Sequence, residues 1–178
     1  MNSDSKRLEW ARSILGVLPA VGFFALAAPA PGWAQASELA APQWAISEAP
    51  GAAVDYPSNI FTVDAGPSPL GTGRRLQTAD GRADFMLYVS PNDAHESPRS
   101  YVRKYLAVPK AKLDYVRITD RFFVVSGIQE GRVFYSRCNY PRGISGPMHC
   151  IYLLYPQSET HAWDGIVTRI SRSLRSRG

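Results

Sequence analysis

Residues that carry chemistry are scarce in this chain of 178. It has two cysteines, Cys138 and Cys150, and three histidines, His95, His149 and His161. His149 stands beside Cys150, but the spacing matches no compact zinc motif and a fourth ligand is missing, so no metal site is expected. No Asn-x-Ser/Thr triplet occurs, which removes the acceptor for N-glycosylation. No internal repeat is visible, which excludes solenoid and propeller architectures. The carboxylates form no pair suited to general acid–base work: Asp80 and Glu130 fall in turns, Asp84 on a strand face, Asp114 and Asp120 at strand ends. Gly71-Thr72-Gly73-Arg74-Arg75 resembles half of a phosphate-binding loop. It leads into a strand and lacks the helix N-terminus that such loops use. No cofactor is expected.

Long apolar runs are also rare, and the one present is at the start. Lys6, Arg7 and Arg12 precede an apolar stretch from Ile14 to Ala30, and Ala34-Gln35-Ala36 follows. A basic start, a short apolar core and small residues before a cut after Ala36 are the three parts of a secretory signal peptide, assigned to residues 1–36. The competing reading is an uncleaved membrane anchor, but Gly16, Pro19 and Gly22 interrupt a run barely long enough to span a bilayer, which favours cleavage, and no membrane span is expected after it. The implied location is exported, periplasmic or extracellular. Two cysteines in an oxidising compartment pair, so a Cys138–Cys150 disulfide is expected. Removing residues 1–36 takes three of 20 basic and two of 15 acidic residues, leaving 17 and 13, a net charge of +4. That balance suits anionic partners, and solubility alone also accounts for it. A nucleic-acid partner conflicts with export.

Residues 37–55 are rich in Ala and Pro without a sustained period and read as a linker or loosely attached arm, with Trp44 and Ile46 as possible anchors. Residues 56–178 read as one α+β domain. Ile60–Val63 is a strand; Arg75–Ala79 and Arg82–Val89 form a hairpin about Asp80-Gly81, which places Leu76 opposite Phe85. Ser97 caps a helix with Pro98 in its first turn, ending before Pro109. Two strands broken at Thr119-Asp120 follow, and Gln129-Glu130-Gly131 turns into the cysteine hairpin. A last helix follows the cap Ser158, with Ala162, Trp163, Ile166, Val167, Ile170 and Leu174 at helical spacing and Arg169, Arg172 and Arg175 near its C-terminal end.

Periodicity orders the strands. Residues 75–78 and 115–118 alternate polar and apolar, as on a strand with a wet face or at an edge. Residues 85–89, 122–125, 133–135 and 151–155 are apolar on both faces, hence central. With Cys138 opposite Cys150, Phe134 faces Leu154 and Ser136 faces Tyr152 on the disulfide side, while Tyr135 faces Leu153 and Arg137 faces Ile151 on the other. The fold class is a mostly antiparallel sheet of about six to seven strands, packed by two helices, with one disulfide.

This order of elements, the closing amphipathic helix and the opening Tyr56-Pro57-Ser58-Asn59-Ile60-Phe61 resemble the PsbP-like group of small secreted or lumenal α+β domains. The Pro-x-x-Trp expected after the group's first strand is absent, and the cysteine pair is not part of its pattern. The resemblance implies an assembly or binding factor rather than an enzyme and carries over no site residues. The stapled loop 139–149 then offers Tyr140, Arg142 and His149, with Arg137 on the adjacent strand, as a contact for a protein partner or an anionic envelope ligand. Two alternatives belong to other classes: a small hydrolase using Ser158, His161 and Asp164, and a purely structural envelope component.

Overall fold

Turn chemistry and two-residue alternation lay out the sheets. The computed structural model describes residues 39–106 and 112–177; the expected signal segment and the helix stop before Pro109 lie outside them. Strand β1 (Trp44–Ala49) turns at Pro50-Gly51 into β2 (Ala52–Pro57), with Gly51 at φ 77°. The expected loose arm is therefore corrected from Trp44 onward. Ala52, Ala53 and Val54 are fully buried, and the Asp55 N–H donates to Ser173 Oγ at 2.9 Å. Small residues at 52 and 53 let another element pass closely over the strand, so their alanines reflect packing and not absence of structure. Trp44 packs on the core as expected, whereas Ile46 is exposed.

Strands β3 (Phe61–Pro67), β4 (Thr72–Thr78) and β5 (Asp84–Ser90) form the first half of the main sheet. The β4–β5 register puts Leu76 opposite Phe85, as the sequence implies. The loop is four residues long, because Thr78 N–H donates to Ala83 O at 3.1 Å, Gly81 takes φ 68°, and Asp80 accepts from Arg82 N–H and Thr78 Oγ1. The glycines of 71–75 have a packing reason: a Cβ on Gly73 would lie 2.0 Å from the Leu87 carbonyl oxygen, so only glycine lets β4 approach β5 here. Pro67 sits in β3, an edge strand broken by bulges, where a missing N–H is tolerated.

Helix α1 (Pro98–Tyr101) starts at Ser97, whose Oγ accepts from Ser100 N–H at 3.2 Å, and runs on as a π-helical turn through Leu106. Strands β6 (Lys112–Ile118), β7 (Phe122–Gln129), β8 (Arg132–Asn139) and β9 (Met148–Pro156) complete the sheet. Glu130 and Gly131 both take positive φ, the two-residue turn that fits the twist of a hairpin. The main sheet is antiparallel in the order β3-β4-β5-β9-β8-β7-β6, so the four doubly apolar runs occupy its interior and residues 115–118 its edge. The β8–β9 register matches expectation pair for pair, including Cys138 opposite Cys150, and these two are disulfide-bonded.

Helix α2 (Thr160–Ser173) closes the fold, and β10 (Arg175–Ser176) pairs with β2 to make a second sheet, β1-β2-β10. Two corrections apply at α2. A 3₁₀ turn, Gln157–Glu159, precedes it, so Ser158 is not its cap, and Ala162 is exposed. Trp163, Ile166, Val167 and Ile170 do form the buried stripe, with Leu174 buried just beyond the last turn.

Alternate residues of β5 and β9 divide the interior between two cores. Phe85, Leu87, Ile151 and Leu153 face α2 and the small sheet, where Trp163 lies 5.3 Å from the Tyr155 ring and 5.7 Å from Phe61. Met86, Tyr88, Phe134 and both cysteines face the side covered by Val102 and Tyr140. Each large apolar side chain so buried contributes roughly 1.5–3 kcal/mol. Arg82 pairs with Glu159, whose other oxygen accepts from Trp163 Nε1 at 3.3 Å, tying the β4–β5 turn to the start of α2.

Candidate binding groove beside helix α2

Helix α2 lies over β9 and the near part of β8, leaving β6 and β7 open on the same face. The registers then dictate what lines the open strip. Arg117, Val124 and Arg137 form one row across β6, β7 and β8; Tyr115, Ser126 and Tyr135 form the next. All of these but Ser126, with Phe122 and with Val167, Thr168, Ser171 and Arg172 from α2, line a cleft of about 280 Å³. It continues past Tyr115, Tyr135, Val167 and Thr168, lining residues common to both, into a wider chamber of about 530 Å³ reached by Val133, Tyr155, Asp114 and Asp164.

Arg137 is held in place. Its Nε donates to Asn139 Oδ1 at 3.0 Å, its Nη1 to Ser171 O at 2.9 Å and to Ser171 Oγ at 3.3 Å, and its guanidinium lies 5.0 Å from the Phe122 ring centroid. Asn139 Nδ2 in turn donates to Leu174 O at 3.3 Å. Two β8 side chains thus satisfy carbonyls that the end of α2 leaves without helical partners. Arg117 approaches the same ring, at 5.5 Å. Burial lowers the proton affinity of Arg137 and the nearby Arg117 charge adds to this, while Tyr135 opposes it. An arginine stays protonated under such pressure. Among the described residues, no carboxylate pairs with Arg117, Arg137 or Arg172. One end of the groove is therefore cationic and the other carries two carboxylates.

The four contact residues expected from the sequence do not assemble. Arg137 lines the groove, and Arg142 is exposed on the loop. Tyr140 is 1% exposed and packs at 6.4 Å from Phe123 on the opposite face of the sheet, where burial raises its pKa; a partner cannot reach it. His149 does share the face of Arg137, since Asn139 pairs with it, yet it is only 6% exposed. Its Nδ1 and Ser176 Oγ are 3.2 Å apart and share a hydrogen bond, and burial, then Arg142, lowers its pKa. The loop itself docks on residues 92–96, with Ile144 O accepting from Asn92 Nδ2 at 2.9 Å. Ser158, His161 and Asp164 share no hydrogen bond with one another among the described residues, and Asp164 lines the chamber beside α2. No group of three His, Cys, Asp or Glu side chains able to hold a metal occurs among the described residues.

Arg117, Phe122 and Arg172 were not legible as site residues from their own positions. A signal did exist: the turns at 119–121 and 130–131 fix two registers that put Arg117 and Arg137 in one row.

These sheets and helices define a PsbP-like α+β fold. The solution structure of cyanobacterial PsbP (CyanoP) from Synechocystis sp. PCC 6803 is similar to this chain with a TM-score of 0.55, at 11% sequence identity, over 92% of this chain and 99% of that one. At that identity the likeness shows the fold alone. No family model and no curated protein matches the sequence. Among the described residues, no helix is long and apolar enough to cross a membrane.

Proposed function

We propose that this chain is an exported, non-catalytic binding domain that holds an anionic ligand in the groove beside α2. The observation that carries the reading is the cluster of three guanidinium groups, Arg117, Arg137 and Arg172, around one cleft without a carboxylate partner among the described residues. Arginines in that arrangement match the geometry of carboxylate and phosphate oxygens. Arg137 is already fixed by four contacts, so little side-chain freedom remains to be lost on binding. Export is supported by the signal pattern of residues 1–36 and by the disulfide. The PsbP-like fold fits an assembly or binding role.

The test compares the native protein with Arg117→Glu/Arg172→Glu, two exposed residues whose replacement leaves the core intact. Inorganic phosphate at ten times its dissociation constant stabilises the native protein by about 1.4 kcal/mol in thermal unfolding. The variant gains none of this beyond the general salt effect. Equal gains in the two proteins overturn the reading.

A further inference from the structure

The cationic cleft opens into a wider chamber whose lining mixes apolar and polar side chains. Beyond the arginines the surface turns aromatic and aliphatic: Tyr115, Tyr135 and Val167 lead into a chamber with Val133 and Tyr155 on its wall. Tyr115 is 49% exposed, a large apolar side chain with no cover on its outer side. Asp114 and Asp164 line this chamber, opposite in sign to the arginine end. We infer that the groove takes a small amphiphile with one oxyanion head, a carboxylate or a phosphate monoester, on an alkyl body. The head lies among Arg117, Arg137 and Arg172, and the body runs past Tyr115 and Tyr135 into the chamber. This rests on the anion-binding reading above and specifies its ligand class.

Three features carry the assignment. Charge complementarity fixes the head, because the only concentration of positive charge in the groove is at the narrow end. The apolar part of the chamber's lining suits the body: Tyr115, Ile128, Val133, Tyr135, Tyr155 and Val167 offer each methylene a surface away from water, between the polar side chains of Ser126, Gln157, Thr160 and Thr168. The two aspartates limit the total charge: a second anionic group at the far end meets carboxylates of its own sign. The combined space falls within the size range of small-ligand sites.

Isothermal calorimetry on the protein purified from the cells that make it separates these elements. The probes are decanoate and decyl phosphate below their micelle-forming concentrations, decanol, decanedioate and inorganic phosphate. Decanoate and decyl phosphate are expected to bind at least tenfold more tightly than inorganic phosphate, and the stronger of the two identifies the head. Decanol and decanedioate are each expected to bind at least tenfold more weakly than decanoate. Arg117→Glu/Arg172→Glu loses both alkyl anions, while Tyr115→Ala weakens decanoate about threefold or more. Decanoate no tighter than inorganic phosphate overturns the amphiphile while leaving anion binding in place. Decanol as tight as decanoate overturns the head assignment, and decanedioate as tight overturns the role of the aspartates. Absence of binding by every anion overturns the inference together with the reading beneath it.

Discussion

Replacing Cys138 and Cys150 by alanine opens the only covalent closure among the described residues, and its cost can be worked from the structure. The two residues are 12 apart in sequence, and restricting an unfolded loop of that size contributes roughly 3 kcal/mol. Both side chains are buried in the core on the α1 face, so the two lost sulfurs add about 1 kcal/mol for the voids they leave. The expected loss is therefore about 4 kcal/mol, a large part of the 5–15 kcal/mol typical of a domain. Urea unfolding at neutral pH measures it, with the native protein in reductant as the comparison. Reduction keeps both sulfurs and should lose only the loop contribution, roughly 3 kcal/mol. A loss below about 1 kcal/mol in the reduced protein would refute the reasoning, since the unfolded hairpin would then be restricted without its bond.

Gly73→Ala is expected to cost about 3 kcal/mol, because its Cβ meets the Leu87 carbonyl oxygen and backbone must move. Gly81→Ala, at φ 68° with open space around it, costs roughly 1 kcal/mol and serves as the control in the same unfolding assay. Burial lowers the His149 pKa below its ordinary value, so between that value and the lowered one the unfolded state binds more protons than the folded. Stability contributed by neutral His149 is complete above about pH 6.5 and is lost as pH falls toward the lowered pKa. The slope of stability between pH 7 and 5 should flatten in His149→Gln, and an unchanged slope would count against the burial argument.

Legibility followed the range of the interaction that decides each feature. The β4–β5 and β8–β9 registers were readable because Asp80-Gly81 and the cysteine pair act within a few residues of the strands they align, and the turn at Glu130-Gly131 was readable for the same reason. The small sheet was not, because Ala52 and Ala53 owe their size to elements more than 100 residues away: Asp55 N–H bonds Ser173 Oγ across 118 positions. The groove was half readable. Arg137 was singled out as a binding residue, but its partners Arg117 and Arg172 resembled an ordinary wet strand face and a helix-end cation. What joins them is the lateral placement of α2, which Trp163 and the two cores set and no local pattern announces. Tyr140 and His149 follow the same rule: their loop is polar in sequence, yet its tyrosine packs under one face of the sheet and its histidine under the small sheet on the other.

The pairing of β2 with β10 also sets an order of events. A chain emerging N-terminus first presents β1 and β2 long before Arg175 and Ser176 exist, so this hairpin waits, without its third strand or its covering helix, for nearly the whole main sheet to be made. An isolated two-stranded hairpin is marginal in water. Completion of the small sheet therefore fastens the first hairpin of the described residues to the strand that follows α2.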